Sequence, residues 1–167
     1  MSATTLPASG KSSSATKTIL LSGFVAGTMD MLGAILVYTA IMQKVTVVQI
    51  LHGIASGVFG KTTVGSSATM ALIGLGFHYF IAFCWAIGYF IVYPYIPFLR
   101  KQKIIAGLLY GIVVWAVMNL IVLPMSNAYH SPFAWPSAIR AATILMLCIG
   151  LPISLITSRY YKSKIVT

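Results

Sequence analysis

Four stretches of the chain, residues 18 to 42, 69 to 93, 103 to 125 and 138 to 158, are apolar almost without interruption. Each is long enough to cross a hydrocarbon core of ~30 Å at about 1.5 Å per residue. Lipid offers no water to backbone N–H and C=O groups, so each stretch must close its hydrogen bonds within itself, and each is expected to be an α-helix. The pattern predicts an all-α, integral membrane four-helix bundle over residues 18 to 160.

A fifth apolar stretch, Val47 to Phe59, is too short to span. It is expected as a short helix in the first external loop, either interfacial or re-entrant, capping the outer face of the bundle. Gly60, Gly65, Ser66 and Ser67 follow it and read as a turn. Residues 1 to 17 are rich in Ser, Thr, Ala and Gly, without apolar periodicity, and are expected to form a flexible tail, with a second tail at 161 to 167. A secretory signal is a poorer reading of the N-terminus, because the first apolar run exceeds the roughly 7–15 residues of a signal core and no small-residue cleavage site closes it.

Composition agrees with lipid as the main solvent: of 167 residues 59% are hydrophobic and 7% charged, with a mean hydropathy of +0.94. In a soluble chain the net charge of +10 would point to nucleic acid. Here the cations flank apolar stretches instead of forming a patch interleaved with aromatics, so no nucleic-acid partner is expected. Lys11, Lys17, Arg100, Lys101, Lys103, Arg159, Lys162 and Lys164 fall on one side of the four spans and Lys44, Lys61 and Arg140 on the other. The positive-inside rule then puts both termini in the cytoplasm. Tyr93, Tyr95, Tyr160 and Tyr161 suit the inner interface, and Tyr129 and Trp135 the outer one. Cys84 and Cys148 lie within apolar segments without metal-ligand spacing and read as small buried residues.

The segment Ala55-Ser-Gly-Val-Phe-Gly60-Lys61-Thr62 fits the loose spelling of a phosphate-binding loop. That loop works only with a strand before it, a helix after it and an acidic group to hold magnesium. Asp30, the one acidic side chain of the chain, is intramembrane, so no nucleotide partner is expected.

Chemistry, if present, lies in the polar residues of the spans. A charged group at the bilayer centre costs about 2.5–3.5 kcal/mol even on the mildest scale, so it persists only when paired, protonated or wetted. Asp30 stands near the middle of the first span, with Gly23 and Gly27 on its face seven and three residues back. Such a small-residue stripe lets another helix come close, so Asp30 is expected to face protein. His78 shares a stripe with Ala71, Gly74 and Ala82, and Asn119 follows Gly111, which forms a G-x-x-x-G with Gly107. Counted from the span ends, His78 and Asn119 lie at matching depth, with Asp30 slightly below them. Two readings stay open: Asp30, His78, Asn119, Tyr79, Tyr110 and Arg140 line one polar pocket, or they cross-link the helices by hydrogen bonds. Pro124, and Pro152 with Gly150, are expected to bend their helices or free carbonyls. No metal or cofactor is expected, since His52, His78 and His130 are scattered over different segments.

The segments Ala26-Gly-Thr-Met-Asp30-Met-Leu-Gly-Ala, Gly76-Phe-His78-Tyr-Phe-Ile-Ala and Tyr110-Gly-Ile-Val-Val-Trp-Ala-Val-Met-Asn119-Leu-Ile-Val-Leu-Pro124 resemble those of small bacterial inner-membrane proteins akin to the YagU-like families of unknown function. The likeness covers about residues 18 to 160. It implies a bacterial cytoplasmic membrane and a four-helix bundle, and it carries over no catalytic residue. The residues leave a small-solute or ion/proton-coupled transport or binding role, in which the chain pairs with copies of itself, a structural or accessory role in a larger membrane complex, and, as the weakest reading, an intramembrane enzyme, for which Asp30 is the one acidic partner and no nucleophile–base pairing is evident. The aromatic-rich second span, with Phe77, Tyr79, Phe80, Phe83, Trp85, Tyr89 and Phe90, reads either as packing and lipid-facing surface or as the wall of a lipid or quinone site.

Overall fold

The computed structural model describes residues 14–60, 67–127 and 134–165. The expectations placed on Lys11, Lys61, Thr62, Gly65, Ser66, Tyr129 and His130 lie outside the described residues. Four helices are long and apolar enough to cross a membrane: α1 (Ala15–Ile41), α3 (Ala68–Val92), α5 (Lys103–Met125) and α6 (Trp135–Lys164). Two shorter helices, α2 (Val47–Phe59) and α4 (Pro97–Lys101), connect them. No strand occurs among the described residues. The fold is the expected all-α bundle with four apolar spans.

The start of α1 and both ends of α6 extend beyond the limits expected from the sequence. Helix α1 begins at Ala15 and α6 runs to Lys164, so Lys17 and Lys162 are helical instead of lying in tails. Charged side chains end an apolar run without ending a helix, since Lys and Arg are good helix formers.

Neighbouring spans run antiparallel and close on glycine. A Cβ on Gly23 would strike the Phe83 ring, and one on Gly27 would lie 3.0 Å from Tyr79 and 3.1 Å from Ala82, so these two glycines seat the aromatic face of α3 against α1. A Cβ on Gly111 would meet Met146 and the Leu145 carbonyl oxygen at 2.7 Å, and Gly150 faces Gly107 and Gly111 backbone to backbone. Helices α5 and α6 thus meet at their main chains, as small-residue stripes permit. Gly33 against Cys148 Sγ, 3.1 Å from its would-be Cβ, joins α1 to α6. Gly74 departs from expectation: its open side is filled by the Leu51 carbonyl of α2, and no spanning helix takes that place. Cys84 is exposed on α3, not buried as its apolar surroundings in sequence implied.

The packing order is therefore α3 on α1, α1 on α6 and α6 on α5. Between α3 and α5 the contact is made by large side chains: Tyr110 donates to the Trp85 carbonyl at 2.7 Å and its ring lies 4.7 Å from that of Tyr89. The half of the bundle nearer the chain termini is sealed by aromatics, with Tyr89 and Tyr93 fully buried. Tyr89 donates to Ser154 Oγ at 2.7 Å, and Ser154 in turn donates to the Lys103 carbonyl at 2.6 Å, so the buried hydroxyls satisfy one another.

Among the described residues three turns are π-helical: Ile35–Ile41, Met118–Val122 and Met146–Gly150. The second and third directly precede Pro124 and Pro152 by two residues. A proline ring clashes with the carbonyl four residues back, and the wider π turn moves that carbonyl aside while the preceding N–H bonds five residues back, as Leu123 does to Met118 and Leu151 to Met146. The prolines are thus absorbed by a change of helix pitch.

Helix α2 is fixed at both ends. Thr46 and Gln49 form a reciprocal capping box at its start, with bonds of 2.8 and 3.3 Å. Gly60, at φ 79°, closes its end with an N–H bond to Ser56. His52 Nε2 meets the Ser67 carbonyl at 2.9 Å at the head of α3. Asn127, just beyond α5, donates from its main chain to Gly57 at 3.0 Å and from its side chain to Val58 at 3.2 Å. Helix α2 therefore bridges the start of α3 and the end of α5 across the gap between them. Val47–Phe59 is one helix, so a helix stands where a phosphate-binding loop would require a strand and runs on into the loop itself.

Candidate functional site: a cavity beneath helix α2

The gap bridged by α2 holds a cavity of about 420 Å³. Its size falls within the range of about 300–1,000 Å³ typical of small-molecule sites. Helix α2 contributes Ile50, Gly53, Ile54 and Gly57, whose spacing of three and four residues is one helical face. Phe77, Ile81 and Trp85 of α3 form a second wall, and Val114 and Met118 of α5 with Ile149 of α6 form a third. Gly53 lines this space and has room beside it: a Cβ there would meet nothing within 4 Å.

Two ionisable side chains enter this apolar lining, Asp30 from α1 and His78 from α3. They are close enough for their charges to act on one another. His78 Nε2 lies 2.8 Å from the Gly27 carbonyl oxygen, one turn before Asp30. A carbonyl can only accept, so Nε2 carries the proton in this bond. Gly27 makes this possible, because its missing Cβ lets α3 approach the α1 main chain. No hydrogen bond or ion pair within the described residues reaches the Asp30 carboxylate, which leaves it the uncommitted polar group of the cavity.

The other expected members of a polar pocket lie elsewhere. Asn119 donates from Nδ2 to the Trp115 carbonyl of its own helix at 2.9 Å, inside the π turn, and is not part of the cavity wall. Tyr79 shares a 2.9 Å hydrogen bond with Thr28 and stacks on Phe24 at 5.6 Å. Tyr110 is committed to Trp85, and Arg140 donates from Nη2 to Ser137 at 3.0 Å. These four act as helix cross-links or local braces. Matching depth did not bring Asn119 to His78 because depth leaves the rotation of each helix about its axis open.

The α2 face was the part of the site that sequence reading missed. Its signal is the spacing of Ile50, Gly53, Ile54 and Gly57, with two glycines on the side turned to the cavity. The aromatics of α3 divide: Phe77 and Trp85 line the cavity, Phe83 packs on Gly23, and Phe80, 64% exposed, faces outward. No group of three or more metal-ligating side chains occurs among the described residues. In comparisons with protein-family models, curated proteins and solved structures, nothing matches this chain.

Proposed function

We propose that this chain binds a small apolar solute carrying a positive charge inside the membrane, with Asp30 holding the charge and His78 positioning it, and that binding is coupled to a proton on Asp30. One observation carries the reading: the chain's only acidic side chain enters an apolar cavity of about 420 Å³ without a hydrogen-bond partner among the described residues. A carboxylate in such surroundings needs either a proton or a cation, and the two compete for the same oxygens. Competition of that kind is the elementary step of proton-coupled exchange.

The location follows as part of the proposal. Eight of the eleven cations flank one side of the bundle, which supports both termini in the cytoplasm. The likeness to YagU-like proteins supports a bacterial cytoplasmic membrane. Four spans are few to enclose a full pathway, so transport would use more than one copy.

The test uses two probes of the same shape and opposite charge, tetraphenylphosphonium and tetraphenylborate, titrated calorimetrically into the purified full-length protein. Saturable binding of the cation alone, lost in Asp30→Asn, is expected. Equal binding of both ions, or cation binding that survives Asp30→Asn, would overturn the proposal.

A further inference from the structure

A second cavity, of about 280 Å³, lies at the opposite end of the bundle, between the first turn of α1 and the last turns of α6. Lys17 and Arg159 line it together with Thr18, Tyr160 and Ser163, and Leu21 and Ile156 lie one turn deeper toward the membrane core. The two cations come from antiparallel helices that the bundle holds side by side. Asp30 stands thirteen residues up the same helix from Lys17, or about 20 Å at 1.5 Å per residue, too far to neutralise either. Two converging cations with no acidic side chain in reach draw their counter-charge from outside the chain.

We infer that this cavity binds the phosphate of an anionic phospholipid. A phosphodiester accepts hydrogen bonds from the guanidinium of Arg159 and the ammonium of Lys17, while the Thr18 and Ser163 hydroxyls are already donated to the Ser14 and Tyr160 carbonyls. Leu21, half exposed, and Ile156 continue the site into the apolar layer, where an acyl chain would lie. A free phosphate uses the polar part alone, and a zwitterionic lipid brings its own cation to compete with Lys17 and Arg159. The site therefore favours a lipid of net negative charge, as basic pockets between spanning helices do. Occupancy would tie α1 to α6, the pair that also carries Asp30 and Gly33.

Native mass spectrometry of the full chain in a non-ionic detergent reads this directly, with dioleoylphosphatidylglycerol, dioleoylphosphatidylcholine and inorganic phosphate as probes. Phosphatidylglycerol is expected to be retained in preference to phosphatidylcholine, and phosphate is not expected to displace it. The exposed pair Lys17→Gln with Arg159→Gln should lower its affinity about thirtyfold, the equivalent of about 1 kcal/mol per cation. Arg159→Lys should keep most of it. The pair Arg100→Gln with Lys101→Gln, which removes the same charge away from the cavity, should leave it unchanged. Equal losses in the two double variants would reduce the effect to net charge and overturn the site. Displacement of the lipid by inorganic phosphate would make it a soluble-anion site and overturn the lipid assignment. Should the first double variant fail to fold, Lys17→Gln and Arg159→Gln singly must each weaken lipid retention severalfold, and unchanged retention in both overturns the proposal.

Discussion

The His78 imidazole reaches from α3 to the main-chain carbonyl of Gly27 on α1, 2.8 Å away. This bond crosses the interface one turn from Asp30 and fixes the rotation of the imidazole at the cavity wall. The same residue thus closes a helix pair and shapes the site.

Replacing His78 should show both roles. Hydrogen bonds between membrane helices average about 0.6 kcal/mol and reach about 1.7 kcal/mol, so His78→Phe is expected to lower stability by about 1 kcal/mol. Denaturant unfolding of the reconstituted protein measures that loss, and cation-probe titration should show weaker binding in the same variant.

Glycine substitutions should divide by what their Cβ would meet. At Gly150 and Gly111 it would enter the backbone of the facing helix, so Gly150→Ala and Gly111→Ala should each destabilise by about 1–3 kcal/mol, the cost of overpacking. Gly76 faces nothing within 4 Å, and Gly76→Ala should be neutral or gain up to about 1 kcal/mol of helix propensity. Thermal unfolding in detergent orders the three variants.

Filling the cavity from α2 should separate binding from folding. Gly53 has open space where a side chain would project, so Gly53→Leu is expected to fold with stability near wild type while occupying the solute's volume. Cation-probe titration of this variant should show no saturable binding. Full binding with normal folding would place the site elsewhere.

Much of the fold was legible because lipid imposes one rule on every span: enough apolar residues to cross, and a helix to close the backbone. Residues 69 to 93 were expected and Ala68–Val92 observed, and the limits of 103 to 125 coincide with Lys103–Met125. Val47–Phe59 was readable as a short helix because its apolar run is too short to span and Gly60 ends it. What it covers was not readable. The small stripe of Ala71 and Gly74 signals close approach by something, and sequence does not distinguish a spanning partner from α2. The candidate site was legible in Asp30 and His78, whose cost inside lipid marks them, and illegible in Asn119 and Arg140, whose hydrogen bonds turn back to their own helices. Lys17 and Arg159 are 142 positions apart, and only the antiparallel packing of α1 and α6 brings them to one cavity.

Asp30→Asn keeps the shape of the side chain and removes its charge. The variant is expected to fold at least as stably as wild type, because an uncompensated carboxylate leaves the apolar cavity. Unfolding measured on both proteins in the same detergent checks this, and a clear loss of stability would make Asp30 a structural anchor.

The most direct measurement is proton release on binding tetraphenylphosphonium, followed in weak buffer across the pH range in which the protein stays folded. Competition at Asp30 requires release that approaches one proton per cation bound toward the acid end, fades toward the alkaline end, and is absent in Asp30→Asn. Cation binding without proton release at any pH, or the same release from Asp30→Asn, would contradict it.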